Sequence, residues 1–133
     1  MAKPRNRSTL YRLIEAGQLA HRAFLAPMRE RGLQPGDDAL LLILAERKAT
    51  SEELAAEAGV AAERLSPLLQ RLIDRGLIER TPTALRLTAR GAKVEAWLAA
   101  HWASLETLVT HGLGKKQRAR LNRQLAEIAE LLG

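Results

Sequence analysis

The chemistry available to this chain lies in its arginines and one short row of polar side chains. There are 133 residues and no Cys, which removes thiolate nucleophiles, thiol redox sensing, Cys-ligated zinc and disulfides. His21, His101 and His111 lack the close pairing that metal ligands need. Ser51, Ser66 and Ser104 sit in no nucleophile context, and the glycines form no phosphate loop. An enzyme is not expected, nor a metal or cofactor. What remains is anion recognition. Arg80, Arg86, Arg90 and Lys93 fall together with no acid among them, as do Lys115, Lys116, Arg118, Arg120 and Arg123. A guanidinium presents a planar fork of donors that matches phosphate oxygens. A net charge of +6 likewise suits a polyanionic partner.

A second group lies between positions 62 and 75. Leu65, Leu68, Leu69 and Leu72 predict a helix with one apolar face. At 100° per residue its opposite face carries Glu63, Pro67, Gln70 and Asp74. Ser66 and Arg71 flank that row, and Arg64 and Arg75 lie further round. A Gln amide can pair with the adenine edge, and a carboxylate can accept from cytosine N4. Close to phosphates the two acids are repulsive. Pro67 removes a backbone donor and crowds the carbonyl four residues back, and Ala61 cannot cap. A helix with a shortened or distorted N-terminal end is therefore expected.

Apolar spacing places these residues on elements. Ser8 or Thr9 caps a first helix, on which Leu10, Leu13, Ile14, Phe24, Leu25 and Met28 recur at helical steps. Pro27 should kink or end it. Pro35 is placed to open the next helix, with Asp37 and Asp38 in its first turn. That helix, "ALLLILAE", should be buried. Thr50 and Glu53 read as a capping box before a short helix that Gly59 ends. Gly76 stops the helix after it. Two short strands, Leu77–Arg80 and Leu85–Leu87, flank a Thr81–Ala84 turn, and Thr88 can cap a long helix. A final helix carries Leu121, Leu125, Ile128, Leu131 and Leu132. The order is α-α-α-α-β-β-α-α in a mostly α chain. No apolar run is long enough to span a membrane, and the basic start leads into no apolar h-region. A cytoplasmic protein with no membrane partner is expected.

A capped short helix, a Gly-led turn, a second helix and a hairpin, in that order, have the form of a winged helix-turn-helix. The chain resembles the MarR family of transcriptional regulators over nearly its whole length. "GLQPGDDALLLILAE" is similar to the opening of the family's second helix, "ELAAEAGV" to its turn, and "LLQRLIDRGLIER" and "LTARG" to the segments either side of its wing. The resemblance implies a homodimer on double-stranded DNA, a wing in the minor groove, and a small anionic or phenolic effector that releases the DNA. It also implies one domain over 1–133, with a winged lobe over 35–93 and helical dimerisation regions over 8–31 and 94–132. Exposed apolar stripes at both ends of the chain fit that dimer.

The departures from the family are equally legible. Its wing is roughly twice as long and carries an Asp-x-Arg; here Pro82 and Thr83 form an uncharged tip and Arg86 sits near a strand end. Two readings follow. In one, Arg64, Arg71, Arg75, Arg86 and Arg90 contact phosphates while Ser66 and Gln70 face bases, helped by the basic N-terminal arm. In the other, DNA reading has been lost, and the protein serves in protein interaction or small-molecule sensing. His101, Trp97 and Trp102 are expected in packing, with one Trp as the candidate for lining an effector pocket. The basic run "GKKQRAR" opposes the helix dipole. It reads as a solvated end, a second polyanion contact, or a pairing with the acidic 37–58 segment of a partner subunit.

Overall fold

The computed structural model describes residues 8–133; the basic arm with Lys3, Arg5 and Arg7 lies outside them. Six helices and one hairpin follow in order: α1 Thr9–Glu30, α2 Asp37–Glu46, α3 Ser51–Ala58, α4 Ala62–Asp74, β1 Ile78–Arg80, β2 Leu85–Leu87, α5 Ala89–Val109 and α6 Lys115–Leu132. The strands pair antiparallel with Glu79 opposite Arg86. An isolated bridge from Ala49 to Leu85 lays the segment before α3 along the wing. By internal contacts the chain divides after Trp102 into two units.

The first unit holds the core. Leu40, Leu41 and Leu44 of α2, Leu54 of α3, Leu65, Leu69 and Leu72 of α4 and the wing's Ile78 and Leu85 form one buried cluster. Each element thus buries one face and leaves another for other work.

Four local expectations change. Pro35 does not open α2. Gly36 takes a left-handed conformation as N-cap (φ 100°), while Asp37 accepts from the Gln34 N–H at 2.7 Å and Asp38 from the Gly36 N–H at 3.2 Å. The aspartates close this turn, so the helix starts at Asp37. Pro27 does not end α1, which continues to Glu30; so near a helix end the missing donor disturbs little. β1 begins at Ile78, because the Leu77 N–H turns back to the Leu72 carbonyl at 3.0 Å and closes α4 around Gly76. Finally, α4 is neither shortened nor interrupted. It starts at Ala62 with no side-chain cap, and the Ala61 carbonyl accepts from both Arg64 and Leu65, each at 3.0 Å. Pro67 deprives only the Glu63 carbonyl of its partner, on an exposed face where water can replace it.

The other caps stand where the sequence put them. Thr50 Oγ1 accepts from the Glu53 N–H at 3.2 Å, and Glu53 accepts from the Thr50 N–H at 3.0 Å. That backbone bond, with the Thr50 hydroxyl and Arg47 adding to it, holds the Glu53 carboxyl below its ordinary pKa of 4.5. Thr88 Oγ1 accepts from the Gly91 N–H at 3.0 Å and donates to the Gly76 carbonyl, tying the end of α4 to the start of α5.

Candidate nucleic-acid interface

A tight left-handed Gly59 (φ 67°) separates α3 from α4. With Leu65, Leu69 and Leu72 buried and Leu68 half-buried, α4 turns Glu63, Arg64, Ser66, Pro67, Gln70 and Asp74 to solvent. Gln70 Nε2 donates to Asp74 Oδ1 at 2.8 Å. Ser66 borders a 200 Å³ recess between α3 and α4 that Ser51, Glu52 and Arg80 also line. Arg80, at the base of the wing, thus reaches the helix-turn-helix face.

The arginines separate into two classes. Arg71 is already engaged: its Nη2 donates to both carboxylate oxygens of the buried Asp37. Arg75 is likewise committed, donating to the Gly32 carbonyl and, at 3.0 Å, to the Arg31 carbonyl. Both lie on the side of α4 that faces the α1–α2 connection, where backbone and carboxylate acceptors satisfy them. Arg86 pairs across the hairpin with Glu79 at 2.7 Å but stays exposed, so a phosphate would have to compete with that carboxylate. Arg64, Arg80 and Arg90 are exposed and have no ion pair among the described residues. Lys48 joins them. It lines a 450 Å³ groove with Arg80, Thr81 and Arg86, placed there by the Ala49–Leu85 bridge. In sequence Lys48 falls within the acidic 37–58 segment, and a long-range bridge leaves no local signal of its place beside the wing. Arg47 neutralises two acids of that segment, Glu53 and Glu57.

The wing is short. Thr81 closes its own turn, donating to the Ala84 carbonyl and accepting from the Ala84 N–H, both at 3.0 Å. Pro82 and Thr83 alone project.

A separate aromatic cluster lies beside α1. The His101 ring stacks on Phe24 (centroids 5.6 Å) and on Trp97 (5.1 Å), and Trp102 meets Phe24 edge-on. His101 Nε2 lies 3.1 Å from the Phe24 carbonyl oxygen, an acceptor only, so this nitrogen carries a proton. The Arg31 guanidinium sits 4.0 Å over the Trp97 ring, a cation–π contact. Among the described residues no three His, Asp or Glu side chains converge as a metal site, and no helix is long and apolar enough to cross a membrane.

No protein-family model matches the chain, and no curated protein does. Solved structures do. The Mycobacterium tuberculosis MarR-family protein Rv2887, solved in complex with DNA, is 25% identical at a TM-score of 0.71, covering 91% of this chain and 97% of its own. The chain has the winged helix-turn-helix fold of MarR-family transcriptional regulators. The MarR likeness extends to ligand-free NadR (25% identity, TM-score 0.73, 93% and 97% coverage) and to the transcriptional repressor CouR bound to p-coumaroyl-CoA (28%, 0.73, 97% and 96%). NadR has also been solved with 4-hydroxyphenylacetate. Within that fold α4 occupies the place of the recognition helix, and the hairpin over 78–87 occupies that of the wing.

Proposed function

We propose that this protein is a DNA-binding transcriptional regulator that engages duplex DNA as a homodimer. One observation carries the reading: the exposed face of α4 presents Arg64, Ser66 and Gln70, Arg80 lines the recess beside it, Lys48 lines the adjoining wing groove and Arg90 reaches Gly76 at the end of α4. Arg64, Arg80, Arg90 and Lys48 hold phosphates, Arg86 does so from its exchange with Glu79, and Ser66 and Gln70 face the bases. Arg71 and Arg75 act indirectly, by fixing the recognition helix on the α1–α2 connection. The uncharged wing tip limits this protein to phosphate contacts at the wing base. The lobe over 35–93 supplies the DNA contacts, and helical regions 8–31 and 94–132 supply the dimer.

Fluorescence anisotropy of a labelled duplex across a salt series tests this. Each phosphate contact contributes a slope of about −0.9 in log K against log salt. Affinity should fall steeply with salt, and Arg64→Ala or Arg80→Ala, each removing one contact per subunit of the dimer, should flatten the slope by roughly two units without unfolding the chain. Absence of binding at low salt would leave only the interaction or sensing role.

The aromatic cluster supports a small-molecule effector of aromatic-acid type, with Arg31 meeting the carboxylate and Trp97 or Trp102 the ring. Release of the bound duplex by 4-hydroxyphenylacetate at fixed salt is the matching readout; retention at every concentration tried removes that effector class.

A further inference from the structure

Gln70 lies midway along α4 on the exposed face, and its Nε2 donates to Asp74 Oδ1 at 2.8 Å. An ionised carboxylate only accepts, so the orientation of this amide follows from chemistry: nitrogen toward Asp74, Oε1 away. One N–H is engaged, leaving the second N–H and Oε1. That combination, one donor beside one acceptor, complements adenine in the major groove, which offers the N7 acceptor and the N6 donor. Guanine offers two acceptors, N7 and O6. An unrestrained amide could aim two N–H groups at them, because its terminal torsion is broad and roughly two-fold. With one N–H held by Asp74, the two-donor face is gone. Oε1 would then meet O6 without a proton between them.

The bond also gives Asp74 a purpose. An exposed acid on a helix that approaches phosphates weakens binding to every sequence. Four residues apart on one helix face, the pair is local, so it travels with α4 into the groove. Resting on the functional reading above, we propose that Asp74 is a positioning residue that locks the Gln70 amide to read adenine at one A·T pair in each half-site.

Selection from a randomised duplex pool with the full-length protein, alongside Gln70→Ala and Asp74→Asn, tests it. Asparagine can either donate or accept, so Asp74→Asn releases the lock and removes a charge. The wild type should enrich adenine at one position per half-site, and Gln70→Ala should lose that preference. Asp74→Asn should cut adenine-over-guanine discrimination there roughly tenfold, while binding a mixed-sequence duplex more tightly because a repulsive charge is gone. A purely structural Asp74 would instead lower affinity for all sequences alike and leave the preferred base unchanged; that result overturns the proposal. So does a wild type that binds duplex with no base preference, which leaves the DNA-binding reading intact. No binding to any pool at low salt sinks that reading and this one together.

Discussion

Asp37 is the single buried charged residue among those described. Its carboxylate accepts from the Gln34 N–H and from Arg71, so one side chain closes the turn into α2 and anchors the recognition helix. Removing one partner of a buried pair typically costs about 3–5 kcal/mol, because the other charge is stranded. Arg71 keeps 25% of its side chain exposed, so water can partly rescue Asp37 and the low end applies. Arg71→Met should destabilise the fold by about 3 kcal/mol in urea titration. Adding Asp37→Asn should recover part of that loss, since the amide oxygen still serves Gln34 and no charge is stranded. Full additivity of the two changes would show that the pair is not coupled. This pair was hidden at the level of sequence. Asp37 read as a first-turn acid and Arg71 as a phosphate ligand, because nothing local says that positions 34 apart will meet.

At the scale of elements, the decisive close approach is where α5 starts against the wing. A Cβ on Gly91 would lie 1.9 Å from the Leu77 carbonyl oxygen, a backbone atom that cannot swing aside. Alanine would gain about 1 kcal/mol in helix propensity, yet overpacking of this kind costs about 1–3 kcal/mol or more. The clash is severe enough to win. Gly91→Ala should lower the urea midpoint measurably, with loss of duplex binding following loss of fold; an unchanged or raised midpoint would show that α5 can shift away from Leu77. The glycine itself was legible in "LTARG", but only the structure shows what crowds it. Element types and most boundaries were legible, because caps are local chemistry: Thr50 with Glu53, Gly59, Gly76 and Thr88 all act within a few residues. Pro35 and Pro67 misled for the same reason in reverse. Their local signals were outweighed by the Asp37–Asp38 turn and by an α4 leucine face packed firmly enough to carry a helix through a proline.

At the scale of the whole molecule, the question is what covers α6. Lys115–Leu132 forms a helix with no buried residue, yet Leu121, Leu125, Ile128 and Leu132 recur at steps of four, three and four along one face. Four cations and no acid crowd its first two turns, opposing the dipole, and Gly114 offers no side-chain cap. A helix of this kind gains its stability from packing its apolar face rather than from propensity. In the first unit α1 likewise exposes Leu10, Ile14 and Leu19. A second copy of the chain, bringing identical faces about a two-fold axis, is the simplest cover, and it agrees with the homodimer proposed above. Light scattering at tens of micromolar should therefore give twice the mass of the 14.7 kDa chain. Leu121→Glu with Leu125→Glu should shift the protein to monomer and reduce its helical circular dichroism. The core around α2 and α4 uses neither residue, so the cooperative unfolding of that lobe should persist. Duplex affinity should drop sharply in the same variant, because one recognition helix alone makes about half of the phosphate contacts. A monomeric wild type at those concentrations, or a double variant that remains dimeric, would remove α6 from the interface and require another cover for its leucines.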